Sequence, residues 1–138
     1  MFKLITTSLF ALAISVSSVS AATSKKIFKG NYDGYANLES VTGVSIYYSP
    51  VRFKITGAGV ITGTAYLADT KQLVNVTGSI GKVTVKSGFS YIGKASGKFS
   101  DGTKWDVEIQ AVKGYSAKVI TGKARKGSYS GSLQLGIL

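Results

Sequence analysis

Apolar and polar residues alternate with period two along most of this chain. The clearest stretch runs from Phe89 to Val112. Phe89, Tyr91, Gly93, Ala95, Gly97 and Phe99 fall on one face, and Ser90, Ile92, Lys94, Ser96 and Lys98 on the other. Ser100-Asp101-Gly102 follows, and the return run puts Trp105, Val107, Ile109 and Ala111 opposite Lys104, Asp106, Glu108 and Gln110. Such alternation marks half-buried strands, and Asp-Gly between two of them marks a hairpin.

The same reading predicts strands over Ile27–Leu38, Val44–Tyr48, Val51–Thr56, Val60–Leu67, Leu73–Ile80, Lys82–Lys86, Lys118–Lys126 and Gly127–Ile137. Ser49-Pro50 separates the second from the third. Proline has no N–H to give a ladder, so it must sit at a turn, bulge or edge. Ala68–Gln72 reads as a polar loop. No stretch after residue 21 keeps the i, i+3, i+4, i+7 apolar pattern of a helix, and glycines interrupt the chain throughout. The expected fold is all-β: an antiparallel meander of about eight to ten short strands closing into a small barrel or barrel-like sandwich. Small residues recur on the apolar face, which favours the barrel.

A nine-residue pattern near each end suggests how the sheet closes. Gly30-Asn31-Tyr32-Asp33-Gly34-Tyr35-Ala36-Asn37-Leu38 and Gly127-Ser128-Tyr129-Ser130-Gly131-Ser132-Leu133-Gln134-Leu135 share G-x-Y-x-G and a leucine at the ninth place. The intervening chain holds no run of such repeats. First and last strands are therefore expected side by side, with their tyrosine-glycine faces inward.

The first residues read as a secretory signal. Lys3 supplies the positive charge, Leu4 to Val16 the apolar stretch, and Val19-Ser20-Ala21 a cleavage site. The expected organisation is a signal over residues 1–21 and one all-β domain over 22–138, exported to the periplasm or beyond. No later apolar run has the length of a membrane helix. The chain has no cysteine, so neither a disulfide nor a lipidated cysteine is available.

Charge decides which face is inside. Of seventeen Lys and Arg, Lys3 belongs to the leader, and the remaining sixteen stand against six acids. The polar faces carry Lys29, Arg52, Lys54, Lys82, Lys86, Lys94, Lys98 and Lys104. A membrane barrel would turn these into a narrow lumen, where unpaired cations are costly. The expectation is the opposite arrangement, apolar face in and lysines in water.

Little catalytic chemistry is on offer. The chain has no histidine and no cysteine, so the commonest base, the thiolate nucleophile and the usual zinc ligands are missing. Asp106 and Glu108 are the one close acid pair, two apart on a strand. Paired carboxylates can hydrolyse glycosides, but weak cross-strand pairing with Lys94, Lys98 and Lys104 is the plainer account. Asp101 belongs to its turn, and Asp33 and Asp69 are isolated. Thr121-Gly122-Lys123 and Ser96-Gly97-Lys98 are strand fragments rather than phosphate loops. Asn75-Val76-Thr77 is a glycosylation acceptor inside a strand. No enzyme activity, cofactor or metal is expected.

Two binding readings remain. Lys123, Arg125 and Lys126 form the densest basic cluster, with Lys25, Lys26 and Lys29 near the expected mature N-terminus. If the first and last strands pair, these clusters are expected near each other, as a contact for a polyanion or anionic surface. The polar faces lack interleaved aromatics, so there is no specific nucleic-acid signal. The plainer alternative is that lysines only keep the strands soluble. Separately, Trp105 with Tyr32, Phe89, Phe99 and Tyr129 are the candidate lining of a ligand cavity; alternatively, they fill the space the glycines leave. The sequence thus points to an exported, non-enzymatic barrel, either a surface-binding module, a carrier of a small apolar ligand, or a self-assembling structural protein.

Overall fold

A computed structural model describes residues 25–138. The expected signal over 1–21 lies outside the described residues. A 3-10 turn, Lys25–Phe28, precedes eight strands: β1 Gly30–Glu39, β2 Ser45–Ile55, β3 Val60–Leu67, β4 Gln72–Lys86, β5 Ser90–Phe99, β6 Lys104–Val112, β7 Lys118–Lys126 and β8 Tyr129–Ile137. Each strand pairs antiparallel with the next, and β8 pairs antiparallel with β1, closing the barrel. The two G-x-Y-x-G strands thus lie side by side as expected.

Strand direction gives the barrel two ends. The terminal end holds Lys25–Phe28, the β2–β3, β4–β5 and β6–β7 connections, and Leu138. The distal end holds the β1–β2, β3–β4, β5–β6 and β7–β8 connections.

The strand count settles at eight because two expected breaks are bulges. β2 runs through Pro50, and Tyr35 of β1 faces both Ser49 and Pro50 where the register shifts. β4 runs through Gly81, which lies between the Ile80–Ala95 and Lys82–Lys94 pairs. A bulge adds a residue and a bend without ending a strand, so local sequence reads it as a stop. Ile27 and Phe28 also depart from expectation, lying in the 3-10 turn rather than in β1.

The apolar face is inside. Trp105, Tyr32, Tyr48, Phe28, Phe53 and Phe99 are among the largest fully buried side chains. Tyr48 meets Phe99 edge to face at 5.1 Å, and Phe53 meets Trp105 at 4.9 Å between ring centroids. The outer wall is mostly polar, rich in lysine, serine and threonine, with Tyr35, Tyr47, Val60 and Leu73 exposed among them.

The motif glycines allow the closure. A Cβ at Gly131 would run into the Asn37 carbonyl oxygen, and one at Gly34 into that of Gln134. Only a residue without a side chain lets β1 and β8 approach this closely. In the two-residue β7–β8 turn, Gly127 adopts φ 58°, which favours glycine at that position.

Candidate functional site

Antiparallel closure separates the two basic clusters. Lys25, Lys26 and Lys29 stand at the terminal end, where the Lys118 ammonium donates to the Lys29 carbonyl at 3.4 Å. Lys123, Arg125 and Lys126 lie at the far end of β7, paired with the start of β8. The expectation that they lie near each other fails, because antiparallel neighbours put their first residues at opposite ends.

The surroundings of the clusters differ as well. The distal cluster is partly neutralised: Lys126 forms an ion pair with Asp101 at 3.4 Å, and Lys123 stands opposite Asp106 in the β6–β7 register. The terminal end has less such compensation. Its segments 25–32, 53–62, 80–93, 110–120 and 135–138 carry Lys25, Lys26, Lys29, Lys54, Lys82, Lys86, Lys113 and Lys118, and the acid at its margin is Asp33, which faces Arg52 and Gly136 in register. The distal segments 37–47, 66–74, 97–105 and 123–131 hold Glu39, Asp69 and Asp101 among their cations. Sequence reasoning missed Lys54, Lys82, Lys86, Lys113 and Lys118 as members of one site. They are scattered along the chain, and only the topology collects them.

The aromatic set divides. Tyr32, Phe99 and Trp105 are buried inside, and Tyr129 is half-buried against the core. Phe89 does not join them. It lies in the β4–β5 turn with 53 % of its surface exposed, and so does not line the interior as expected. The period-two pattern assigned it inward, but the strand begins one residue later. At the buried positions, side chains occupy the room beside the glycines. A Cβ at Gly78 or Gly97 would strike the Trp105 ring, and one at Gly93 would stand 3.0 Å from Phe28. Among the described residues the Trp105 Nε1–H has no acceptor.

Phe28 closes the terminal end of the core. The Tyr32 hydroxyl donates to the Phe28 carbonyl at 2.6 Å, and burial pushes the Tyr32 pKa well above the ordinary phenol value. At the distal end the Tyr48 hydroxyl donates to Asp101 Oδ2 at 2.6 Å and lies 2.9 Å from Thr103 Oγ1. The Thr103 amide donates to Asp101 Oδ1 at 3.1 Å. Burial alone would raise the Asp101 pKa. The hydrogen bonds from Tyr48 and Thr103, with the Lys126 charge, outweigh it and hold the carboxyl below its usual value. Burial, with the Asp101 contact, pushes Tyr48 upward.

Asp106 and Glu108 are exposed on the outer wall of β6, beside a shallow concavity that also includes Lys94, Lys104, Lys123 and Arg125. Glu108 faces Lys94 in register, yet among the described residues the only ion pair is Lys126 with Asp101. The cross-strand pairs expected for these acids do not form. Among the described residues there is no group of three or more acids, histidines or cysteines placed to hold a metal ion.

No family model, curated protein or solved structure matches the chain.

Proposed function

We propose that this protein is an exported, non-enzymatic binding module whose terminal end contacts a polyanion or an anionic surface. One observation carries the reading: a barrel end with eight lysines and a single acid, Asp33, at its margin, against a distal end where cations and acids mix. Like charges left uncompensated repel one another and weaken the fold slightly, so their concentration on one face is a feature to explain. A localised positive field attracts extended anions and releases their counterions on contact. Lysine suits this work, being a flexible point charge that follows a phosphate, sulfate or carboxylate array without fixed geometry.

Lys25, Lys26 and Lys29 belong to this contact. Lys123, Arg125 and Lys126 do not, because they face away and two of them stand opposite or beside carboxylates. Among the described residues no helix is long and apolar enough to cross a membrane. Closure of β8 onto β1 leaves no free strand edge for edge-to-edge assembly.

Heparin chromatography tests the reading. The protein is expected to bind at low salt and to elute only at a salt concentration that screens the lysine field. Passage through the column at low salt would sink it.

A further inference from the structure

The terminal end is not only basic. It also carries exposed apolar side chains that are not part of the buried core. Phe89 in the β4–β5 turn is 53 % exposed, and Tyr115 in the β6–β7 loop is 70 % exposed. Val85, Val119 and Leu138 are also exposed at this end. Ser87 and Gly88 make the bend of the β4–β5 turn, and Phe89 closes it, where the turn itself places no demand for a large apolar side chain.

Backbone hydrogen bonds fix both loops. The Lys113 amide donates to the Phe89 carbonyl at 2.8 Å, tying the β6–β7 loop to the β4–β5 turn. The Phe89 amide donates to the Lys86 carbonyl at 3.3 Å, and the Tyr115 amide to that of Val112 at 3.0 Å. Each aromatic therefore sits in a hydrogen-bonded turn, with Lys86 in that of Phe89 and Lys113 in that of Tyr115. β4, at 15 residues, is the longest strand, and its outer half beyond the Gly81 bulge carries the Phe89 turn.

Resting on the reading above, we propose that the terminal end docks on an anionic phospholipid bilayer, with Phe89 and Tyr115 entering the headgroup layer and the lysines contacting lipid phosphates. The two observations together select this partner. A soluble polyanion needs the lysines but gives the aromatics nothing to enter. A neutral bilayer accepts aromatics at its interface but leaves the lysines without partners. Only an anionic bilayer satisfies both, in the manner of peripheral proteins that combine a small apolar insertion with a basic surround.

The test uses the full chain with two vesicle types, phosphatidylcholine alone and phosphatidylcholine with phosphatidylglycerol, alongside a heparin column. F89S/Y115S removes the apolar tips and leaves every lysine. The wild-type protein is expected to sediment with phosphatidylglycerol vesicles and not with phosphatidylcholine alone. The double variant is expected to lose at least tenfold in vesicle partition while keeping its heparin retention, and a thermal melt matching that of the wild type shows that it is folded. Because both proteins carry the same residues 1–21, the difference belongs to the tips. Equal partition of the two proteins overturns bilayer insertion and leaves polyanion binding standing. So does heparin retention without vesicle binding by the wild type. Failure on both supports removes the lysine-end reading itself. In F89W, quenching of the new tryptophan by lipid with brominated acyl chains is expected; an unquenched Trp at that position overturns insertion.

Discussion

The Tyr48 hydroxyl donates to Asp101 Oδ2 at 2.6 Å, joining β2 to the β5–β6 turn at the distal end. Asp101 accepts three contacts there, from Tyr48, the Thr103 amide and Lys126. Tyr48→Phe is expected to cost about 1–3 kcal/mol at neutral pH, since it leaves a half-buried carboxylate short of a donor. The sign with pH follows from the lowered Asp101 pKa. A carboxyl whose folded pKa is depressed stabilises the fold above its ordinary value of 3.8, and that contribution fades as pH falls through the folded pKa. Urea unfolding of both proteins should therefore show a gap that is full at pH 7 and narrows below about pH 4. A gap that widens in acid would contradict this account of the carboxylate.

The closing seam depends on missing side chains. Gly131→Ala places a methyl against the Asn37 carbonyl in the β1–β8 ladder. It is expected to destabilise by at least about 3 kcal/mol or to prevent folding. Gly136→Ala, also in β8, meets nothing within 4 Å and should change stability by no more than about 0.5 kcal/mol. Thermal melts of the pair check this; equal effects would mean that the seam is not tight.

Phe28 is fully buried although it lies outside the barrel strands. Phe28→Ala should cost about 3–5 kcal/mol, the usual range for removing a buried aromatic side chain. An effect below about 1 kcal/mol, read from the denaturant midpoint, would mean that the 3-10 turn is not a plug.

Trp105 is the only tryptophan, and its ring is 1 % exposed beside Phe53, Gly78 and Gly97. Its emission is expected to be blue-shifted and insensitive to iodide. With the interior occupied by side chains, small apolar ligands are expected to leave that emission unchanged. A saturable shift would revive the carrier reading.

Much of the barrel was legible because its signal is local. The alternation through Phe89–Val112, the Ser100-Asp101-Gly102 turn and the paired motifs at the two ends each appear within a dozen residues. Bulges at Pro50 and Gly81 were not legible as bulges, since continuity across them is supplied by hydrogen bonds to β1 and β5. Asp101 showed its turn role in sequence, but not its contact with Tyr48, which is 53 residues away. Phe89 was misplaced because period two continues smoothly into a turn that has its own geometry. The separation of Lys25–Lys29 from Lys123–Lys126 was within reach. Antiparallel pairing of the first and last strands already requires their beginnings to lie at opposite ends. The lysine-rich end was out of reach, because it is assembled from five separate stretches of chain.

The most direct test compares two triple variants of equal net charge. K86Q/K113Q/K118Q thins the terminal end, and K123Q/R125Q/K126Q thins the far end of β7. Heparin affinity is measured for both across a salt series. The lysine-end account predicts that the first variant loses at least tenfold in affinity and shows a shallower dependence of log K on log salt, while the second stays close to the wild type. Equal losses would mean that binding follows net charge alone, and would contradict a localised site.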